Sequence, residues 1–266
     1  MAYERYVAIG DSSTEGLDDP DGQGGYRGWS TRLAERLARA QGSLLYANLA
    51  IRGLTTRQVR DQQLSAALDL RPDLVTLFVG TNDVVSRRFS VEAFRADLEA
   101  MQRALIEGGA RVVGFTLPDL GPVMPLARLV KPRIDAMNAA YREVSSTTGA
   151  VLVPLDQHPV ASDPRMWSED RLHANSAGHE RIAAALGEAL GLPGCEGWSE
   201  PLPAVAPLSF LTMLGAELFW ATRHLIPWAC RQALGRSTGD ELKPKRPDLF
   251  PLELDDPESA VPQGSR

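Results

Sequence analysis

The sequence predicts a three-layer α/β/α domain, and three observations carry that reading. Short continuous aliphatic runs recur along the chain, as in Val7-Ala8-Ile9, Asp73–Val79 and Val112–Leu117; strands covered on both faces read this way rather than alternating with polar residues. Longer stretches lie between them in which apolar residues return every three or four positions, the spacing of one helix face. Clusters of Gly, Asp, Asn and Ser follow the apolar runs directly. Strands that alternate with helices pair in parallel through right-handed crossovers, which leaves helices on both faces of the sheet.

The first strand stops abruptly at Gly10-Asp11-Ser12-Ser13-Thr14-Glu15-Gly16. Residues just beyond the carboxyl ends of such strands line the binding crevice, so Ser12 is placed where ligands bind. Leu17 to Gly25 is rich in Asp and Gly (Asp18, Asp19, Asp21) but lacks the full calcium-loop pattern and its terminal Glu, and reads as a solvated acidic loop. From Tyr26 to Gln41, Trp29, Leu33, Leu37 and Ala40 form the apolar face of a helix stopped by Gly42.

Ser43 to Ile51 is a second strand leading into Arg52-Gly53. Thr55 and Thr56 offer a cap for a helix that runs through Gln58 to Leu70 and ends before Pro72. Asp73–Val79, the clearest buried strand, delivers Gly80-Thr81-Asn82-Asp83. Ser90 caps a helix with Phe94, Leu98, Met101 and Leu105 on one face, ended by Gly108-Gly109. Val112–Leu117 is a strand closed by Pro118, and residues 118 to 129, with Pro118, Pro122 and Pro125, form a loop over or beside the site. Ile134, Met137, Asn138, Tyr141 and Val144 mark a helix to Thr148, and Val151–Leu155 is the fifth strand. A loop from His158 to Ser168 leads into Asp170–His173, and Ser176 caps a last helix that closes the domain near Gly191.

Three regions are expected: an α/β/α domain over 1–192, a proline-rich linker and helical extension over 193–236, and a disordered or loosely docked tail over 237–266. The helical candidate is Leu208 to Arg236, interrupted near Pro227. It packs on its own domain in one reading and forms an interfacial or dimer contact in the other; Glu217, Arg223 and His224 make it too polar to span a membrane. With 44% hydrophobic and 23% charged residues among 266, the chain is of ordinary globular composition. Its net charge of -6 leaves no basic field for nucleic acid or an anionic membrane. Met1–Tyr6 runs straight into the first strand without a basic or long apolar leader, from which a cytoplasmic location is expected. Cys195 and Cys230 read as thiols, with no His or Cys at metal-ligand spacing, so no metal or other cofactor is expected.

Four separated blocks now stand together: Gly10-Asp11-Ser12, Asn48-Leu49-Ala50-Ile51-Arg52-Gly53, Gly80-Thr81-Asn82-Asp83 and Asp170-Arg171-Leu172-His173. Each alone reads equally well as a polar turn. Their ordered conjunction resembles the SGNH (GDSL-type) ester hydrolase family. The resemblance implies five parallel strands in the flavodoxin-like order 2-1-3-4-5, with Ser12 as nucleophile, His173 as general base and Asp170 as the carboxylate that orients His173. It assigns the oxyanion hole to the backbone N–H groups of Ser12 and Gly53 and the side-chain amide of Asn82. Gly80 and Asp83 are expected to shape their turn and Asn48 to brace it.

The three-residue spacing of Asp170 and His173 puts both side chains on one face of a turn. His158, His179 and His224 lack an Asp three residues earlier and are read as structural or solvent-exposed; Ser13 is the weaker nucleophile candidate. The G-x-S-x-G elbow is missing, so an open, shallow site is implied. The expected activity is that of a carboxylic ester hydrolase acting on a small-molecule acyl ester, with an acyltransferase or a non-catalytic carbohydrate- or lipid-binding relative as alternatives.

Overall fold

The computed structural model describes residues 2–205, 215, 217–227 and 242–252. Five strands, β1 (Arg5–Gly10), β2 (Leu45–Asn48), β3 (Leu74–Phe78), β4 (Arg111–Phe115) and β5 (Val151–Val153), run parallel in the order β2-β1-β3-β4-β5. β3 is buried along its whole length, as its unbroken aliphatic sequence requires. The chain crosses from β1 outward to β2 and then back to β3, so the order reverses between β1 and β3, and Ser12 follows β1 at that switch point.

The helices are α1 (Ser12–Glu15), α2 (Gly28–Gln41), α3 (Thr56–Asp69), α4 (Thr81–Val84), α5 (Val91–Glu107), α6 (Lys131–Thr148) and α7 (Ser176–Ala189). α2 packs on α7, and α5 packs on α3 and α6, the three-layer arrangement. Ser90 caps α5 by accepting from Ala93 N, and Thr55 with Gln58 closes a reciprocal capping box on α3. α7 differs from expectation in its cap: Asn175 accepts from Gly178 N, and Ser176 is the first helical residue. The Asn175 side chain also donates to Arg165 O and Trp167 O, fixing the start of α7 to the preceding loop; a serine hydroxyl, with a single proton, could make only one of these two contacts.

The expected count of five strands is corrected to six. Within the stretch read as a loosely docked tail, β6 (Arg246–Pro251) pairs antiparallel with β2 at the outer edge of the sheet. Two of its six residues are prolines, which an edge strand tolerates because it needs ladder donors on one side only, and the register shifts between Tyr46 and Asn48. Leu249 and Leu252 pack against the core as a result. Before β6, Lys245 is pushed by burial down to about 8, and its ammonium donates to Glu15 O (2.6 Å), Tyr26 O (2.9 Å) and Arg27 O (3.1 Å).

Residues 217–227 are helical, with a wide turn over Ala221–Leu225 before Pro227, and Gly215 is helical too; the rest of the expected 208–236 helix lies outside the described residues, as does Cys230. Cys195 is a buried free thiol. Among the described residues no helix is long and apolar enough to cross a membrane.

Candidate active site

The turn after β1 is crowded. Gly10 sits at φ +155, and a Cβ there would meet Phe78 O at 2.4 Å and Thr14 Oγ1 at 2.3 Å, so only glycine lets the chain turn between β1 and α1. Asp11 then caps α1 by accepting from Ser13 N, and Ser12 opens the helix with its hydroxyl directed to His173. Asn48 braces this turn rather than the Gly80–Asp83 turn expected for it: its amide nitrogen lies within hydrogen-bond reach of Thr14 O (2.9 Å), Ser30 Oγ (2.9 Å) and Tyr46 OH (3.1 Å).

The loop before α7 brings in the other two residues. An isolated bridge between Trp167 and Ala174 closes it, Ser168 N donates to His173 O, and Arg171 takes up φ +62 at its tip. His173 Nε2 lies 2.8 Å from Ser12 Oγ, and Nδ1 lies 2.6 Å from Asp170 Oδ2. The second Asp170 oxygen accepts from Leu172 N (2.9 Å), His173 N (3.0 Å) and Ser168 Oγ (2.6 Å). Both oxygens of that carboxylate are engaged.

Electrostatics follow from these contacts. Burial acts to raise Asp170, but the His173 hydrogen bond and charge, with Ser168 and the backbone donors, hold it well below the usual carboxylate range. For His173, burial acts downward, and the hydrogen bond and charge of Asp170, with Asp18 and Asp11, act upward and prevail. An ionised Asp170 places the imidazole proton on Nδ1 and leaves Nε2 free to accept from Ser12.

Asp11 is fully buried, and desolvation pushes it up to about 7. Asn82 Nδ2 donates to Leu54 O (3.0 Å) and to Asp11 Oδ2 (3.2 Å), so its amide is engaged within the turn. Asp83 accepts from Thr56 N and Oγ1, both at 2.9 Å, tying the Asn82 turn to the start of α3. Gly53 sits at φ +79 beside Arg52, whose backbone N–H donates to Glu15 Oε2 at 2.9 Å and whose guanidinium pairs with the same carboxylate. The segments carrying Ser12, Gly53 and Asn82 are thus lashed together by Glu15, Leu54 and Asp11.

Sequence reasoning passed over several of these residues. Glu15, Ser168 and Asp18, whose carboxylate lies 2.6 Å from Ser168 Oγ and 3.8 Å from His173 Nδ1, carry no local motif; these partners come from 37 to 155 residues away. His179 is a packed residue: Nε2 donates to Leu17 O at 2.9 Å and Nδ1 accepts from Trp29 N at 3.1 Å. Asp19, which desolvation would raise, is pulled down to about 2 by Arg32, and it accepts from Gly28 N; Asp21 accepts from Gln23 N and Gly25 N.

A cavity of about 60 Å³ opens beside Ser12 and His173, walled by Phe115, Leu117, Leu155, Val160, Ile182 and Trp198. Its lining is almost wholly apolar. Thr81 Oγ1 also borders it, buried and without a hydrogen-bond partner among the described residues.

Solved structures share this architecture. An alpha/beta hydrolase enzyme from the metagenome of Lake Arreo, Spain, superposes with a TM-score of 0.62 at 23% identity, covering 72% of this chain and 97% of its own. The lipase/acylhydrolase from Enterococcus faecalis gives 0.57 at 24%, covering 76% and 100%. The psychrotrophic esterase EstA from Pseudoalteromonas gives 0.56 at 18%, covering 71% and 97%. Among curated proteins none matches. At these identities the structural likeness speaks for the fold alone. The sequence itself decides the family: residues 8–181 match the GDSL-like lipase/acylhydrolase family, to which this chain belongs.

Proposed function

We propose that the chain is a serine carboxylic ester hydrolase in which Ser12 attacks the ester carbonyl, His173 carries the proton and Asp170 orients His173. The observation that supports this most directly is the continuous line Ser12 Oγ, His173 Nε2, His173 Nδ1, Asp170 Oδ2, with heavy-atom separations of 2.8 and 2.6 Å at its two ends. Ester hydrolysis is also the activity common to the family.

In this reading the Ser12 hydroxyl gives its proton to His173 Nε2 as its oxygen bonds to the acyl carbon. The imidazolium formed is supported by Asp170, which stays ionised. The tetrahedral oxyanion is met by the N–H groups of Ser12 and Gly53 and by the Asn82 amide, which exchanges its longer contact, to Asp11, for the substrate oxygen. Collapse breaks the ester C–O bond, and His173 returns the proton to the departing alkoxide. Water, deprotonated by His173, then attacks the acyl-enzyme; the bond from the acyl carbon to Ser12 Oγ breaks, His173 returns the proton to Oγ, and the acid leaves. The apolar cavity beside Ser12 takes the acyl side of the substrate, because a chain of methylenes gains by leaving water for such walls.

The test is a series of p-nitrophenyl esters from acetyl to palmitoyl, run on the wild type and on Ser12→Ala, with mass-spectrometric mapping of an organophosphate label. Turnover that Ser12→Ala abolishes, with the label on Ser12, is expected. Undiminished turnover in Ser12→Ala, or a label elsewhere, overturns the assignment.

A further inference from the structure

The described helical segment 217–227 lies beyond residue 181, where the family match ends, yet it touches the loop that carries Asp170 and His173. Trp220, only 6% exposed, donates from its indole N–H to Asp170 O at 3.0 Å. Glu217 receives both contacts of a fork from Arg171 Nη1, at 2.7 Å to Oε1 and 2.8 Å to Oε2. The Arg171 guanidinium in turn lies 4.9 Å from the centre of the Trp220 ring. Three interactions therefore converge on two adjacent residues, Asp170 and Arg171.

Arg171 is one of three non-glycine residues with positive φ among the described residues, and a left-handed backbone is strained for an arginine, so its surroundings must hold it there. That conformation is what turns the chain so that Asp170 and His173 face each other across it. Neither Glu217 nor Trp220 borders the apolar cavity beside Ser12.

We propose that Glu217 and Trp220 are positioning residues for catalysis: the C-terminal helical segment clamps the Asp170-Arg171 turn and so keeps the imidazole of His173 aimed at Ser12. The inference rests on the ester-hydrolase reading for its kinetic consequence, though not for its structural one. Losing the clamp leaves the Asp170–His173 pair looser without altering the walls that receive the acyl chain. The chemical step suffers and ground-state binding does not.

The experiment compares wild type with Trp220→Phe, which keeps most of the packing but removes the donor, with Glu217→Gln, and with the double variant, all as full chains. Loss of one such contact is expected to lower kcat about five- to tenfold with KM within about twofold of wild type. The two substitutions should be non-additive, since both act on one turn.

A second readout is independent of turnover: the NMR titration of His173, whose charged and titratable neighbours are Asp170, Asp18, Asp11 and neutral His179. A looser Asp170 raises the imidazole less, so the His173 midpoint should move to lower pH in Trp220→Phe, while the thermal midpoint changes by only a few degrees. Unchanged kcat together with an unmoved His173 midpoint in both single variants overturns the clamp. Raised KM with unchanged kcat also overturns it, in favour of a substrate-binding role. If the wild type has no esterase activity, the catalytic reading fails, and the His173 titration still decides whether the clamp exists.

Discussion

At the scale of single residues, the site depends on how the partners of one imidazole set its proton affinity. Neutral His173 is the form that accepts from Ser12, and its titration lies above the ordinary value of 6.5. Under the proposed mechanism kcat/KM should therefore fall on the acid side with a midpoint above pH 6.5, and Asp170→Asn should move that midpoint down while lowering kcat by about four orders of magnitude, the size of effect that loss of the carboxylate has in Ser-His-Asp hydrolases. A pH-rate profile of both proteins checks this. His179 makes the opposite case: burial depresses it to about 4 from 6.5, with both nitrogens committed as a neutral ring. Its stabilising contribution is complete above pH 6.5 and is lost as the pH falls through 4, a loss of about 3 kcal/mol. Denaturant unfolding between pH 7 and pH 4 should show a shallower decline in His179→Gln, since an amide can donate to Leu17 O and accept from Trp29 N without taking up a proton. The three side chains that the structure brings together could be picked out beforehand for different reasons: Ser12 because it ends an apolar run, Asp170 and His173 because their three-residue spacing puts them on one face of a turn. Asp18, Ser168 and Glu15 were not, because what recruits them is contact made only after folding.

At the scale of elements, the chain announces itself where local chemistry and burial agree. Ser90 and the Thr55–Gln58 pair mark helix starts by offering acceptors to backbone N–H groups that have no helical partner, and both cap as the residue types suggest. Ser90→Ala should cost about 1 kcal/mol, read as a drop in the thermal midpoint with no change in activity. The start of α7 was misplaced by one residue because Asn175 and Ser176 are both good caps, and only the loop at Arg165 and Trp167 favours the amide. β6 was missed for a different reason. Arg246-Pro247-Asp248-Leu249-Phe250-Pro251 has poor strand propensity, and what makes it a strand is the unpaired edge of β2 waiting beside it. Propensity describes a segment; pairing belongs to the neighbour.

At the scale of the whole molecule, the alternation of apolar runs and helix-spaced stretches was enough to give the layers, because crossover handedness and burial leave few alternatives. The same topology brings the four polar blocks to one end of the sheet, and it leaves the apolar cavity between the loops after β4 and β5 and α7. Narrowing that cavity with Val160→Phe should shift the preferred p-nitrophenyl ester to shorter acyl chains, lowering kcat/KM for the longer esters by about tenfold or more per excluded segment of chain. A chain-length profile of the variant checks it. The sheet also acquires a particular boundary. Among the described residues no strand pairs with the outward margin of β6, and two of its six residues, Pro247 and Pro251, have no N–H to donate. A neighbouring molecule that tried to continue the ladder there would find gaps in the template, so stacking of copies into an endless ribbon is frustrated at the very place where an open flank would otherwise invite it.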